Sequence, residues 1–307
     1  MIAQSQPALA DAAFDRWVRQ FRTEATRHGV SAAAFDAAFA GVEKLPRVIE
    51  LYERQPETKL DFERYLAIVA PPARIERGRA LLRENRALLE EIGAQYGVPA
   101  RLIVALWGVE SDFGRRQGDY SVVAALATLV QAGKRAPFFK QELIAALKIV
   151  EQGHAPAGGL TGSWAGALGQ CQFMPSNFLR LTVDHDGDGR RDIWTSRPDV
   201  FASIANYMRR VNWRTGQSWG REVSLPPGFN AKANRNAKRS LDQWQKLGIR
   251  RLDGGDLPDA KLSAQMVVPQ GSDRAFLVYD NYRAILAWNR STFFALGVGH
   301  LMDAIED

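Results

Sequence analysis

The 307-residue chain is 46% hydrophobic and 24% charged, which excludes a disordered polymer and leaves room for one large domain or two to three smaller ones. Forty basic against 34 acidic residues give a formal charge of +6, compatible with an anionic partner such as nucleic acid, an acidic membrane or a polyanionic wall. From Arg74 to Arg86, however, acids alternate with the bases, which describes a solvated helix face better than a nucleic-acid stripe, so no nucleic-acid partner is expected.

Apolar residues at three- and four-residue spacing predict helices over 14–28, 31–40, 59–70 and 73–96. No apolar run approaches the ~18 residues of a membrane span. The chain shows no basic n-region followed by an h-region, and its polar start from Ala3 to Ala8 is of the kind that follows a removed signal. In the fourth helix the stripe is Ile75, Leu81, Leu82, Leu88, Leu89 and Ile92, ending at Gly97. Pro99 opens the next helix. Leu102 to Val109 then carries no charged or polar side chain and ends at Glu110, before Ser111-Asp112-Phe113-Gly114. A carboxylate in apolar surroundings is costly unless paired or protonated, and burial raises its pKa. Such a group suits general-acid chemistry near neutral pH. A helix-terminal glutamate paired with an arginine explains the same segment equally well.

Further helices are expected at 121–132, 138–152, 176–183, 198–212, 236–247 and 291–305. Between them lies Gly162-Ser163-Trp164-Ala165-Gly166-Ala167-Leu168-Gly169-Gln170-Cys171-Gln172-Phe173-Met174-Pro175-Ser176. Its glycines allow close backbone approach. Gln170 and Gln172 can hydrogen-bond hydroxyls or amides, Phe173 offers a face for a pyranose ring, and Ser176 reads as a helix N-cap. A packed helix-to-helix connection accounts for the segment as well. Cys171 is the only cysteine, so no intramolecular disulfide exists. Thiol catalysis is disfavoured because none of His28, His154, His185 and His300 lies in a recognisable cysteine-hydrolase context.

Asp184-His185-Asp186-Gly187-Asp188-Gly189-Arg190-Arg191-Asp192-Ile193-Trp194 places Asp at loop positions 1, 3 and 5, glycine at 6 and an apolar residue at 10. This fits an EF-hand calcium loop, with the carbonyl of Arg190 at position 7. Thr195 stands at position 12, where the motif wants a bidentate Glu, and Asp199 is the best candidate to complete the set. A metal-free Asp/Gly turn is the alternative, in which three clustered carboxylates would repel one another. From about 213 to 280 glycine, proline and short β-prone runs appear: Arg221–Leu225, Ala264–Val268 and Ala275–Tyr279 read as strands of a small inserted subdomain. The fold class is mainly α, an α+β protein with a minor β portion.

Taken together, these motifs resemble the lytic murein transglycosylase B family of lysozyme-like, peptidoglycan-cleaving enzymes. The likeness is carried by Gly108–Gly114, Gly166–Ser176, Ala205-Asn206-Tyr207, Asp184–Trp194 and Tyr282–Ser291, in that family's order from roughly residue 10 to the C-terminus. It implies an N-terminal helical region (1–85), a lysozyme-like catalytic core (86–212) with an EF-hand-like loop at 184–195, a β-containing subdomain (213–280) and a C-terminal helix returning to the helical body (281–307). By resemblance Glu110 is the catalytic acid/base; Ser163 and Gln172 bind sugar with Phe173 beside them; Tyr207, Asn289 and Tyr65 line the site; and Lys134 with Arg135 meets peptide carboxylates. Structural calcium on Asp184, Asp186, Asp188, Arg190 and Asp199 is implied, with no organic cofactor. So are a periplasmic location, a monomer, peptidoglycan strands and stem peptides as partners, and contact with wall-synthesis enzymes. Cys171 departs from the small residue expected there, and Trp288 stands where the family often has tyrosine.

The chemistry can be argued separately. Ordinary glycosidases need two carboxylates. Asp112, the other acid near Glu110 in sequence, lies two residues away and would not share its helix face. If Glu110 acts alone, an internal nucleophile must complete the reaction, and N-acetylmuramic acid carries a 6-hydroxyl able to attack C1. Three functions are therefore separable by product: a transglycosylase leaving 1,6-anhydro ends, a lysozyme-type hydrolase leaving reducing ends, and a non-catalytic wall-binding protein leaving none.

Overall fold

The computed structural model of the chain describes residues 6–54, 60–155 and 159–306. The helix expected from 59 and the polar start from Ala3 therefore begin outside the described residues. Seven helices come first: α1 (Gln6–Arg27), α2 (Ala32–Phe39), α3 (Pro46–Glu53), α4 (Phe62–Val69), α5 (Pro72–Glu84), α6 (Arg86–Tyr96) and α7 (Ala100–Ser111). The middle of the chain holds β1 (Tyr120–Ser121), α8 (Val122–Gln131), α9 (Ala136–Glu151), β2 (Thr161–Gly162), α10 (Pro175–Leu181) and α11 (Arg197–Arg210). The last part holds β3 (Gly220–Ser224), β4 (Lys238–Ser240), α12 (Leu241–Lys246), β5 (Arg250–Arg251), β6 (Ser263–Val267), β7 (Ala275–Val278), α13 (Asp280–Trp288) and α14 (Thr292–Ala304). The fold is mainly helical with a small antiparallel sheet, as the sequence predicts.

The chain divides into two compact units, and the division falls inside α7 and α11. The first unit comprises the described residues of Met1–Thr58 with Glu110–Ser203. Its centre is α8, buried from Val122 to Val130, against α9. Phe21, Phe35 and Phe39 form an aromatic cluster between α1 and α2, with Phe35 stacked on Phe39 at 4.4 Å. Thr128, fully buried on α8, accepts a hydrogen bond from the Leu45 amide at 2.9 Å and so holds the approach to α3.

The second unit comprises the described residues of Lys59–Val109 with Ile204–Asp307. Here the five strands run in the order β4-β6-β7-β3-β5, all neighbours antiparallel, with Met266 opposite Leu277 and Val223 opposite Ala275. Trp244 on α12 is fully buried against Ala264, Met266 and Leu277, and its indole donates to the Ala264 carbonyl at 3.0 Å. Leu102 to Leu106 on α7 are fully buried and Trp107 nearly so.

Two helix predictions need correction, each for a local reason, and two helices carry no prediction. The stripe read as one helix over 73–96 is two, because Asn85 leaves helical geometry and its side chain takes the Leu81 carbonyl at 2.8 Å. The helix expected over 236–247 is strand β4 followed by the short α12, which a capping box of Ser240 and Gln243 starts late. Helices α3 and α13 were not read. In α13 a fully buried polar residue, Asn281, interrupts the apolar stripe; it exchanges hydrogen bonds with Arg214 and Gln217 backbone groups.

Candidate active site

Glu110 sits half-buried in the last turn of α7. The backbone then turns sharply: Asp112, Phe113 and Gly114 have φ values of 52°, 59° and 81°. Two consecutive non-glycine residues in the left-handed region are unfavourable and need support. Ser111, fully buried, supplies part of it by accepting the Gly114 amide on its hydroxyl at 3.0 Å and the Arg116 amide on its carbonyl at 2.8 Å. Asp112 is buried and ion-paired to Arg115 at 2.6 Å.

The glutamine-rich loop is stitched to this turn. Gly114 is required there twice, by its positive φ and because a Cβ would collide with the Gln170 side-chain amide. Buried Gln170 donates to the Trp194 carbonyl at 2.7 Å, and Gln117 donates to the Gly114 and Trp194 carbonyls at 3.1 and 3.2 Å. Gln172, itself at φ 49°, donates through its amide nitrogen to the carbonyls of Gly169 and Gln117 at 2.8 and 3.0 Å. Gly169, at φ 56°, would bring a Cβ to 2.6 Å from the Ile193 carbonyl. Ser163 closes the other end of the loop, its hydroxyl accepting the Ala167 amide at 3.0 Å. Gln117 had no sequence signal beyond its nearness to Glu110.

Phe173 corrects the sequence reading. It is 2% exposed, so its ring is core and offers no open face to a sugar. Ser176 is likewise not the N-cap of α10: Met174 is, with Pro175 in the first turn. Buried Glu142 on α9 accepts the Ser176 amide and hydroxyl, both at 2.8 Å, satisfying an orphan donor at the helix start. Cys171 is fully buried, and burial, with the negative charges of Glu110 and Asp199, pushes its thiol well above the usual range. A thiol held protonated cannot serve as a nucleophile at neutral pH.

In the acidic loop the carboxylates of Asp184, Asp186 and Asp188 offer ligand oxygens that all lie within 4.8 Å of one another. Asp184 accepts the Gly187 and Gly189 amides at 2.8 and 2.9 Å, and Asp188 accepts the Arg190 amide at 2.7 Å. Asp199 lies outside that cluster. Fully buried, it accepts the His185 and Asp192 amides, both at 2.7 Å, and so ties the beginning of the loop to its end. Burial pushes the Asp199 carboxyl up despite those two hydrogen bonds. Asp192 goes the other way: burial raises it, but hydrogen bonds from the Thr195 side chain and the Thr195 and Trp194 amides outweigh that and hold it low. All-oxygen donors converging at this spacing fit a hard cation such as calcium.

The remaining predicted residues are divided between the two units. Lys134 is ion-paired with Glu53 at 2.9 Å, whereas Arg135 is exposed, with its guanidinium over the Phe138 ring at 4.5 Å. Tyr65, Tyr207 and Asn289 belong to the second unit. Tyr65 packs on Phe293 at 5.6 Å; Tyr207 packs on Trp288 at 4.5 Å and donates to the Ala287 carbonyl; Asn289 is exposed, its side chain accepting the Ser291 amide.

Residues 13–303 match the family described as the transglycosylase SLT domain. The chain belongs to that family. It is an enzyme of the lytic transglycosylase class. Among its relatives, the membrane-bound lytic murein transglycosylase B of Escherichia coli (strain K12) is 28% identical over 302 residues, covering 91% of this chain and 79% of that protein. The crystal structure of SltB3 from Pseudomonas aeruginosa, in complex with NAG-anhNAM-pentapeptide, superposes with a TM-score of 0.91 at 42% identity, covering 95% of this lytic transglycosylase and 79% of that chain. The Escherichia coli lytic transglycosylase Slt35 in complex with calcium superposes at 0.78 with 25% identity, covering 99% and 98% of the two chains.

Proposed function

We propose that this lytic transglycosylase cleaves the MurNAc-β-1,4-GlcNAc bond of peptidoglycan with Glu110 as its single acid/base, leaving 1,6-anhydro ends. Glu110, protonated, gives its proton to the glycosidic oxygen as the C1–O bond breaks, releasing the GlcNAc 4-hydroxyl. The N-acetyl oxygen of MurNAc shares the positive charge that develops at C1. The Glu110 carboxylate then takes the proton of the 6-hydroxyl as O6 bonds to C1, which regenerates the acid without consuming water. The positioned 6-hydroxyl gains the effective-molarity advantage of an intramolecular nucleophile.

One observation carries the single-acid reading: three buried carboxylates of the same unit are already engaged. Asp112 is held by Arg115, Glu142 binds Ser176 with both oxygens, and Asp199 binds two loop amides. A two-carboxylate hydrolase would need one of them as nucleophile or base. Ser163 and Gln172 are proposed as sugar contacts. For Gln172 that contact falls to Oε1, because its amide nitrogen serves backbone carbonyls. Tyr65, Tyr207 and Asn289 are proposed as further substrate contacts and 86–212 as the catalytic core, and Arg135, which is exposed and has no ion pair among the described residues, is proposed to meet peptide carboxylates. The wall substrate and the membrane-bound relative favour a periplasmic enzyme.

Calcium would be held by Asp184, Asp186, Asp188 and the Arg190 carbonyl, as in an EF-hand. It would neutralise clustered charge and stiffen the loop whose Ile193 and Trp194 carbonyls anchor Gln170 and Gln117. Digesting purified peptidoglycan and weighing the products tests the reaction: fragments lighter by one water support it, and hydrated reducing ends overturn it in favour of a lysozyme-type hydrolase.

A further inference from the structure

We propose that the loop from Lys232 to Arg239, leading into β4, is a docking surface for the carboxylates of the wall polymer. It rests on the reading that the enzyme acts on peptidoglycan, whose stem peptides carry such groups. Around the sheet four other cations are ion-paired: Lys246 with Asp242 at 2.7 Å, Arg250 with Asp256 at 3.3 Å, Arg251 with Asp253 at 2.7 Å, and Arg274 with Glu222. Between 232 and 239 stand Lys232, Arg235, Lys238 and Arg239 with no acid among them. Among the described residues none of these four has a carboxylate partner, unlike the interleaved charges of Arg74–Arg86.

The loop is also braced. Asn230 accepts the Ala233 amide at 2.9 Å, Asn234 donates to the Asn230 carbonyl at 2.9 Å, and Asn236 is fixed to β6 through the Met266 carbonyl at 2.8 Å and the Gln265 side chain at 3.1 Å. Cations on a fixed loop repel one another without the freedom to separate, and a polyanion relieves that repulsion. Arg239 adds a second sign. Its guanidinium stands over the Trp244 ring at 4.6 Å, and its Nη1 nitrogen is buried with no hydrogen-bond acceptor. A charged donor in that state favours an incoming oxyanion.

The chemistry favours a polycarboxylate over a lipid surface. Membrane-binding basic segments place apolar side chains beside their cations. Among the described residues the exposed large hydrophobics are Ile68, Leu247 and Leu252, and none lies in the loop. Asn234 and Asn236 share the intervening positions with two alanines, and the asparagines suit a peptide's amides.

The test uses the full chain carrying Glu110→Gln, with and without Lys232→Gln, Arg235→Gln and Lys238→Gln together. The measurement is the fraction that sediments with insoluble peptidoglycan at low salt, with carboxyl-amidated peptidoglycan, and with phosphatidylglycerol vesicles. The triple change is expected to weaken binding to untreated wall about fivefold and to leave amidated wall, already poorly bound, unaffected. Undiminished binding to untreated wall overturns the proposal, as does a loss confined to the vesicles. All three side chains are exposed, so an unchanged melting temperature confirms folding, and Lys238→Gln alone should give a smaller loss in the same direction. In the Glu110 background the triple variant should still convert short soluble fragments at the parent rate. If the parent makes no anhydro product the catalytic reading fails; if it does, and wall binding survives the triple change, only the docking surface fails.

Discussion

The turn and glutamine loop beside Glu110 differ from the acidic loop at 184–195 in how each holds an unfavourable arrangement. Around Glu110 the burden is backbone strain: Asp112, Phe113 and Gln172 occupy left-handed φ values and are held by part-buried hydrogen bonds. In the acidic loop the burden is charge, with three carboxylates within 4.8 Å and backbone amides donated to each of them. The two meet at Ile193 and Trp194, whose carbonyls receive the Gln170 amide and side chain. The lesson is that strain can be satisfied within the chain, whereas clustered like charge asks for something from outside.

The sharpest way to break this comparison is to remove the group the strained region presents. Glu110→Gln should lower the rate of anhydro-product formation by about 10²–10⁴-fold, the usual range for losing a general acid, while the melting temperature stays put. Product mass spectrometry with a parallel melting curve checks both halves. Next comes the junction itself. Gly169→Ala places a Cβ at 2.6 Å from the Ile193 carbonyl in a left-handed residue, so it should destabilise the fold by about 2–4 kcal/mol in urea unfolding. A change below 1 kcal/mol, within the scatter of ordinary substitutions, would mean the loops are not rigidly joined.

The charged region should respond to cation instead. Saturating calcium at about 100 times its Kd should stabilise the native state by roughly 2.7 kcal/mol, and chelation should remove that gain. Asp186→Asn should shrink the calcium shift in melting temperature. An identical shift in the variant would place the cation elsewhere.

The smallest effect comes from Asp303, a carboxylate of the second unit that is neither clustered nor on strained backbone. Burial of its carboxyl, opposed by the Trp219 indole and Arg101, pushes it up to about 6. A carboxyl raised in the folded state binds protons that the unfolded chain releases. Its contribution therefore falls as pH rises from about 4, the unfolded value, to about 6. The residue as a whole is exposed, so the slope should be shallow. Asp303→Asn should flatten it in unfolding curves taken across that window, and an unaltered slope would assign it to another group.

Much of the molecule was legible in the chain. Leu102 to Val109 announced a buried helix ending at Glu110, Gly97 marked a helix stop, and the Asp-Gly repeat from Asp184 to Gly189 announced a cation-type loop. These signals are local, set by hydrophobic period, by glycine's access to positive φ and by ligand spacing along a few residues. What only the tertiary structure decided is which polar groups are already taken. Phe173 looked like a sugar platform and is core. Glu142 and Asp199 are ordinary acids on helices until burial gives each two protein donors. Asn85 and Asn281 alter helix boundaries only because particular carbonyls lie within their reach. A sequence lists donors and acceptors, but pairing between residues far apart in the chain depends on distances of about 3 Å that folding alone sets.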